Sequence, residues 1–187
     1  MYSSEQGPNI KRQKLAWFVF GIITMLFAEG ILLLGAVQLG LLPTEADRTT
    51  PGQVERFIAS AALHRRVRHN ARLLSPTVSA TDKTLLEGMR NYRDDCAGCH
   101  GDFGAKSDWG SKHFYPRVPQ FAEDPPQLTE REIYYIIKHG IRYSGMGGWD
   151  GQIRDETMWS VAMFLSRLRD LPPAVSREWR SKNKSIP

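Results

Sequence analysis

Cys96-Ala97-Gly98-Cys99-His100 places two thiols and an imidazole within five consecutive residues. Two intervening residues set the thiols at the separation of the two vinyl-derived carbons of one porphyrin. The imidazole that follows reaches an iron from the same face. The pattern therefore points to one covalently attached haem c, with Cys96 and Cys99 as thioether donors and His100 as the proximal iron ligand. Other uses of these residues fit less well. A structural zinc site needs two further ligands, usually a second Cys or His pair, and the chain has only these 2 cysteines. A thioredoxin-like pair belongs after a strand in a βαβ pattern, and none is visible. A plain disulfide leaves His100 without a role.

The elements that must position this motif are helical. Thr81 caps a helix from Asp82 to about Asp95 that leads directly into Cys96. Residues 101–126 are rich in Gly, Pro and aromatics and form a loop wrapped around the motif. Thr129 with Glu132 makes a capping box for a short helix over 130–139, and Gly140 suits the position after its end. Residues 143–151 are a glycine-rich loop. Asp155 caps the last helix, which runs to about Arg169 and stops before Pro172-Pro173. Ahead of the haem domain, Thr50 and Gln53 suggest a capping box with Pro51 at the first helical position. That connector helix reaches about Ala71, with Val54, Phe57, Ile58, Ala61 and Ala62 on one face. Residues 73–80 are loop. No repeat and no strand-like alternation appears, so the class is all-α.

Leu15 to Leu42 is an apolar run in which only Thr24, Glu29 and Gln38 are strongly polar. It is longer than a secretory h-region and lacks a small-residue cleavage site. As a helix it spans about 42 Å, enough for a ~30 Å hydrocarbon core with tilt. It reads as an uncleaved signal anchor in the inner membrane, with lipid as its surroundings. Lys11, Arg12 and Lys14 precede it, which places residues 1–14 in the cytoplasm and the haem domain outside, in the periplasm. Glu29 near the middle is costly in lipid. With the small residues Gly21, Ala28 and Gly35 it suggests a partner helix, set against a lone anchor.

The 187 residues carry a formal charge of +5. Residues 81–172 hold 12 basic and 14 acidic side chains, so the positive charge belongs to the connector, 43–80, and to a basic tail, 173–187. No basic stripe is interleaved with aromatics, which argues against nucleic acid.

Helix, C-x-x-C-H, long loop, short helix, Gly/Met loop and terminal helix in this order resemble a class I cytochrome c. Residues from about 50 to 175 look more closely like membrane-anchored bacterial monohaem cytochromes. Ile137-Lys138-His139-Gly140-Ile141-Arg142-Tyr143-Ser144-Gly145-Met146 carries much of that likeness, and Gly147 stands where the family pattern has proline. The resemblance implies Met146 as the distal iron ligand. A thioether is soft and favours Fe(II). Met89, Met158 and Met163 lie in helices, where methionine is usually core filler, while His113 and His139 are alternative ligands. His64 and His69 fall outside the haem domain. The resemblance also implies a proline-loop carbonyl accepting the remaining N–H of His100. Pro119 best matches that place, with Pro116 as the alternative. Gly88 and Tyr92 are expected where the first and terminal helices cross, opposite Trp159 and Leu165. Trp149, Tyr143 and Arg142 are candidate donors to the haem propionates, set against ordinary packing for each.

A six-coordinate haem has no open site, so the expected function is one-electron transfer in a respiratory or related chain, with redox proteins as partners and no small-molecule substrate. A fixed haem subunit of a larger membrane oxidoreductase is the alternative. A gas sensor or haem enzyme with an open iron is a third reading.

Overall fold

The computed structural model describes residues 10–42, 44 and 52–181. Among these there are eight helices and no strand, and one isolated bridge pairs Asp102 with Ala105. The fold is all-α. The chain divides into two units, Met1–Thr44 and Glu45–Pro187.

The first unit is helix α1, Ile10–Gln38. Trp17, Phe18, Phe27 and Leu32 all point outward and are exposed. A helix that is apolar on every side suits a lipid environment. By length and composition, Arg12–Gln38 is a candidate membrane span. The helix stops before the end of the apolar run, at a turn in which Gly40 takes a φ of 64°.

In the second unit, α2 covers Gln53–Ala71. It starts later than the capping-box pattern suggests. Gly52 is the N-cap and no side chain caps the helix, while Thr50 and Pro51 lie outside the described residues. Its apolar face is also not where the pattern places the core. Val67 and Ala71 are buried on the side facing the later helix α6, whereas Val54, Phe57 and Ile58 are exposed.

Helix α3, Asp82–Asp95, begins with the Thr81 hydroxyl accepting from the Thr84 N–H at 3.2 Å. Leu85, Gly88, Met89 and Tyr92 are buried along it, the i, i+3, i+4, i+7 stripe of a helix with one apolar face. Two short helices follow: α4, Ala97–His100, and α5, Asp108–Lys112. The second forms inside the stretch expected to be pure loop, because the Ser107 hydroxyl accepts from the Gly110 N–H at 2.9 Å.

Helix α6, Glu130–His139, starts with a complete capping box. The Thr129 N–H donates to Glu132 Oε2 at 2.8 Å, and the Glu132 N–H donates to Thr129 Oγ1 at 3.3 Å. Thr129→Ala removes the hydroxyl half of this arrangement and is expected to cost about 1 kcal/mol, measured by denaturant unfolding.

Helix α7, Asp155–Ser166, differs at both ends from expectation. Arg154 is the N-cap and Asp155 the first helical residue, a position where a carboxylate also meets the positive helix end. The Lys138 ammonium donates to Asp155 Oδ1 at 3.1 Å and holds that carboxyl below its usual pKa. Every residue from Met158 to Leu165 is buried, as befits a helix packed by α3 on one side and α6 on another. Trp159 stacks on Tyr134 of α6 with centroids 3.9 Å apart.

The stretch read as a basic tail contains an eighth helix. Helix α8, Pro173–Arg180, buries Val175 and Trp179 and packs on α3. Trp179 meets Phe164 at 5.2 Å and Tyr92 at 5.8 Å. The Arg93 guanidinium lies 5.1 Å from the indole centroid and donates to the Trp179 carbonyl at 2.8 Å. Two apolar residues four apart suffice to seat this short helix on the core.

Candidate functional site

Helix α3 delivers the motif without a break. Cys96 is its C-cap, with its N–H on the Tyr92 carbonyl, and α4 then turns Cys99 and His100 back over it. The His100 N–H donates to the Cys96 carbonyl at 2.9 Å. Gly101 closes the turn with a φ of 75°, and an added Cβ would lie 2.8 Å from both the Ala105 carbonyl oxygen and Gln120 Oε1. Only glycine suits that position.

Three side chains fasten the carbonyls of this turn. Ser107 Oγ donates to Gly98 at 2.6 Å, Gln120 Nε2 to Cys99 at 3.0 Å, and the buried Tyr92 hydroxyl to Gly101 at 2.6 Å. Gln120 is fixed in turn, because its Oε1 accepts the Ser107 N–H at 2.8 Å. Helix α5 presses on the same turn through Gly110. An added Cβ there would sit 2.8 Å from the Cys99 carbonyl carbon and closer still to its oxygen. Ser107, Gly110 and Gln120 were not among the residues expected from sequence.

His100 Nδ1 lies 3.0 Å from the Pro119 carbonyl oxygen. A carbonyl only accepts, so Nδ1 carries the proton and donates, and the lone pair is on Nε2. Phe121 stacks on the ring with centroids 4.4 Å apart and planes 6° apart. Burial holds the imidazole below its usual pKa, opposed by the Pro119 bond, so at neutral pH the ring is neutral. Cys96 and Cys99 are both free and half-buried. Burial, with Asp95 and Cys99 adding negative potential, pushes the Cys96 thiol up to about 12. Two unpaired thiols and an imidazole oriented through Nδ1 form a donor set that fits a haem group.

The loop carrying Met146 is zipped to the end of α6. Gly140 takes a φ of 67°, the Ile141 N–H donates to the Met146 carbonyl at 2.9 Å, and the Met146 N–H donates to Ser144 Oγ at 3.1 Å. The Trp149 and Asp150 N–H groups use the free carbonyls of Ile137 and Lys138 in the last turn. Met146 is half-buried. A Cβ added at Gly145 would overlap the Phe114 ring, which itself packs on Trp109 of α5 at 4.7 Å. The Met146 loop thus reaches, through Phe114, the helix that presses on the Cys-Cys-His turn.

The other candidates are scattered in character. Tyr143 is 92% exposed with a φ of 61°, and the exposed Arg142 guanidinium lies 6.0 Å from its ring. Trp149 is half-buried against the core. His113 and His139 are exposed, the latter 4.5 Å from Tyr135. Met89, Met158 and Met163 are all buried in the helical core. Gly88 sits where α3 crosses α7, but the aromatic partner of Tyr92 on α7 is Phe164, at 5.9 Å.

Residues 83–165 match the family model described as cytochrome c oxidase, cbb3-type, subunit III. The chain carries a c-type cytochrome domain. The matched segment runs from α3 through the Cys-Cys-His turn and the Met146 loop to α7. The c-type cytochrome family implies haem c as the prosthetic group, and electron transfer as its work. Among solved structures, a chain of the Kuenenia stuttgartiensis reducing HAO-like protein complex aligns with 17% identity and a TM-score of 0.41. That alignment covers 50% of this chain and 47% of the other, just under half of its length. A comparison with curated proteins finds no match.

Proposed function

We propose that this cytochrome is a membrane-anchored one-electron carrier with a single haem joined covalently to Cys96 and Cys99, His100 proximal and Met146 distal. The observation that carries the reading is the Nδ1–Pro119 bond, which leaves the Nε2 lone pair free in the same turn that carries two unpaired thiols. Haem, when bound, supplies the Fe(III)/Fe(II) couple. The protein's part is to hold and exclude. Pro119 and Phe121 fix the imidazole plane, so little rearrangement accompanies a change of charge. The Ser107, Gln120 and Tyr92 bonds make the thiol-bearing turn rigid. Met146 sits on a loop that is hydrogen-bonded back to α6, which places a soft thioether on a fixed frame. Trp149, Tyr143 and Arg142 are the donors we assign to the haem propionates.

In this reading α1 crosses the inner membrane with Lys11, Arg12 and Lys14 on the cytoplasmic side and the haem domain periplasmic, serving a respiratory or related chain. A fixed place in a larger oxidoreductase is the second reading. It is favoured by the family description, which names a subunit of an oxidase.

Met146→Ala tests the ligand set. The variant is expected to keep its haem on a denaturing gel, lose the weak thioether-to-Fe(III) absorption at the red end of the visible, and fall in reduction potential. Met89→Leu, Met158→Leu and Met163→Leu are expected to keep a native spectrum. Retention of the thioether band in Met146→Ala overturns the assignment.

A further inference from the structure

The second helix carries a face that its own unit leaves bare. Val67 and Ala71 bury one side of α2. On the neighbouring side Val54 and Phe57 are 71% exposed and Ile58 is 60% exposed. At 3.6 residues per turn, Val54, Phe57 and Ile58 fall within about 100° of arc. Arg65, Arg68 and Arg72 continue the same strip through the last two turns, and all three are exposed. The strip is apolar for two turns and then cationic for two.

The acidic groups do not cancel it. Glu55 lies about 160° round the helix from Phe57, and its carboxylate accepts from the Tyr115 hydroxyl at 2.7 Å, on the protein side. The same three arginines, Arg65, Arg68 and Arg72, also line a groove between α2 and α6, with Arg131 and against Glu130 and Glu132. Glu132 is engaged in the capping box and lies 3.5 Å from Arg68, and Glu130 lies 3.7 Å from Arg167. Arginine remains in excess.

We propose that this strip of α2 lies on an anionic phospholipid surface, with Val54, Phe57 and Ile58 at the acyl boundary and Arg65, Arg68 and Arg72 on the phosphates. The proposal rests on the reading of α1 as a membrane span. Three observations favour lipid over a protein partner. A large apolar cluster in series with arginines is the pattern of a helix lying in a membrane interface. The apolar end is the end closer in sequence to α1. The chain from Gln38 to Gln53 extends to at most about 50 Å, which tethers α2 to whatever surface α1 enters.

The test uses the full-length holoprotein in nanodiscs of mixed phosphatidylglycerol and phosphatidylcholine, and in native membranes. Phe57→p-benzoylphenylalanine probes the strip, and Phe27→p-benzoylphenylalanine probes the span. Illumination is expected to join both positions to lipid, with phosphatidylglycerol preferred at position 57. Adding Arg65→Gln, Arg68→Gln and Arg72→Gln is expected to lower the phosphatidylglycerol adduct at position 57 by about fivefold or more, since each surface arginine favours an anionic leaflet. Lipid adducts at position 27 with none at position 57 overturn the proposal and leave the span intact. So does a native-membrane adduct at position 57 to a protein chain rather than lipid. If position 27 also takes no lipid, the span reading falls and this proposal falls with it.

Discussion

Cys96→Ala with Cys99→Ala yields a chain whose haem is lost on a denaturing gel. These are the only 2 cysteines in the sequence, so no other thiol can take over the attachment. The substitutions are also mild for the backbone. The turn is held by carbonyl groups of Gly98, Cys99 and Gly101, each met by a side chain elsewhere, and none of those bonds uses a thiol. Cys96 and Cys99 are both half-buried, with Cys96 at the edge of the core, so losing the sulfurs costs less than truncating a fully buried side chain. The expected result is complete loss of haem-dependent peroxidase staining at the chain's position, against full staining of the wild type. His100 alone gives a coordinate bond that denaturant breaks. Staining retained in the double variant would show that attachment does not run through these residues.

The motif was legible because all its residues are contiguous and each is chemically distinctive. The supports of the motif were not. Ser107, Gln120 and Tyr92 act by donating to backbone carbonyls, and a bond to backbone leaves no mark on the partner's residue type. The Pro119 carbonyl was placed only by resemblance to a known family, as the better match with Pro116 as the alternative; the carbonyl that His100 Nδ1 meets is that of Pro119. Helix boundaries followed the same logic. Thr81, and Thr129 with Glu132, mark their helices because capping uses side chains at fixed offsets. Asp155 misled by one position, since aspartate suits both the N-cap and the first turn. Helix α8 escaped because only Val175 and Trp179 of its eight residues are buried, too few to show a period. In α2 the apolar period was real, but a period tells which residues share a face, not what covers it. The protein covers the side of Val67 and leaves the side of Phe57 open.

The crossing of α3 and α7 is the contact on which the whole haem domain depends, and Gly88→Ala is expected to weaken it severely. A Cβ at position 88 would lie 2.5 Å from the Ser160 carbonyl carbon, 3.0 Å from the Val161 nitrogen, and closest of all to the Ser160 oxygen. All three are backbone atoms in the middle of a helix, so no rotamer change relieves the overlap. The helices must separate. Separation loosens the side chains that pack beside the glycine, among them Leu85, Met89 and Tyr92 on α3 and Val161, Ala162 and Phe164 on α7, all buried. The helix-propensity gain of alanine over glycine, about 1 kcal/mol, opposes this loss and is the smaller effect. Overpacking against rigid backbone costs about 3 kcal/mol or more, which lowers Tm by roughly 10 °C in a domain of this size. Glu87→Ala, one residue earlier on the exposed side of the same helix, is the control and is expected to change stability by less than about 0.5 kcal/mol. If haem is held through Cys96 and Cys99 as proposed, Gly88→Ala chains that mature still carry haem on a gel. The defect then shows in melting rather than in staining, which separates folding from attachment. A Tm within about 2 °C of wild type, the shift expected for about half a kcal/mol, would mean that the two helices do not approach as closely as their backbones are placed here.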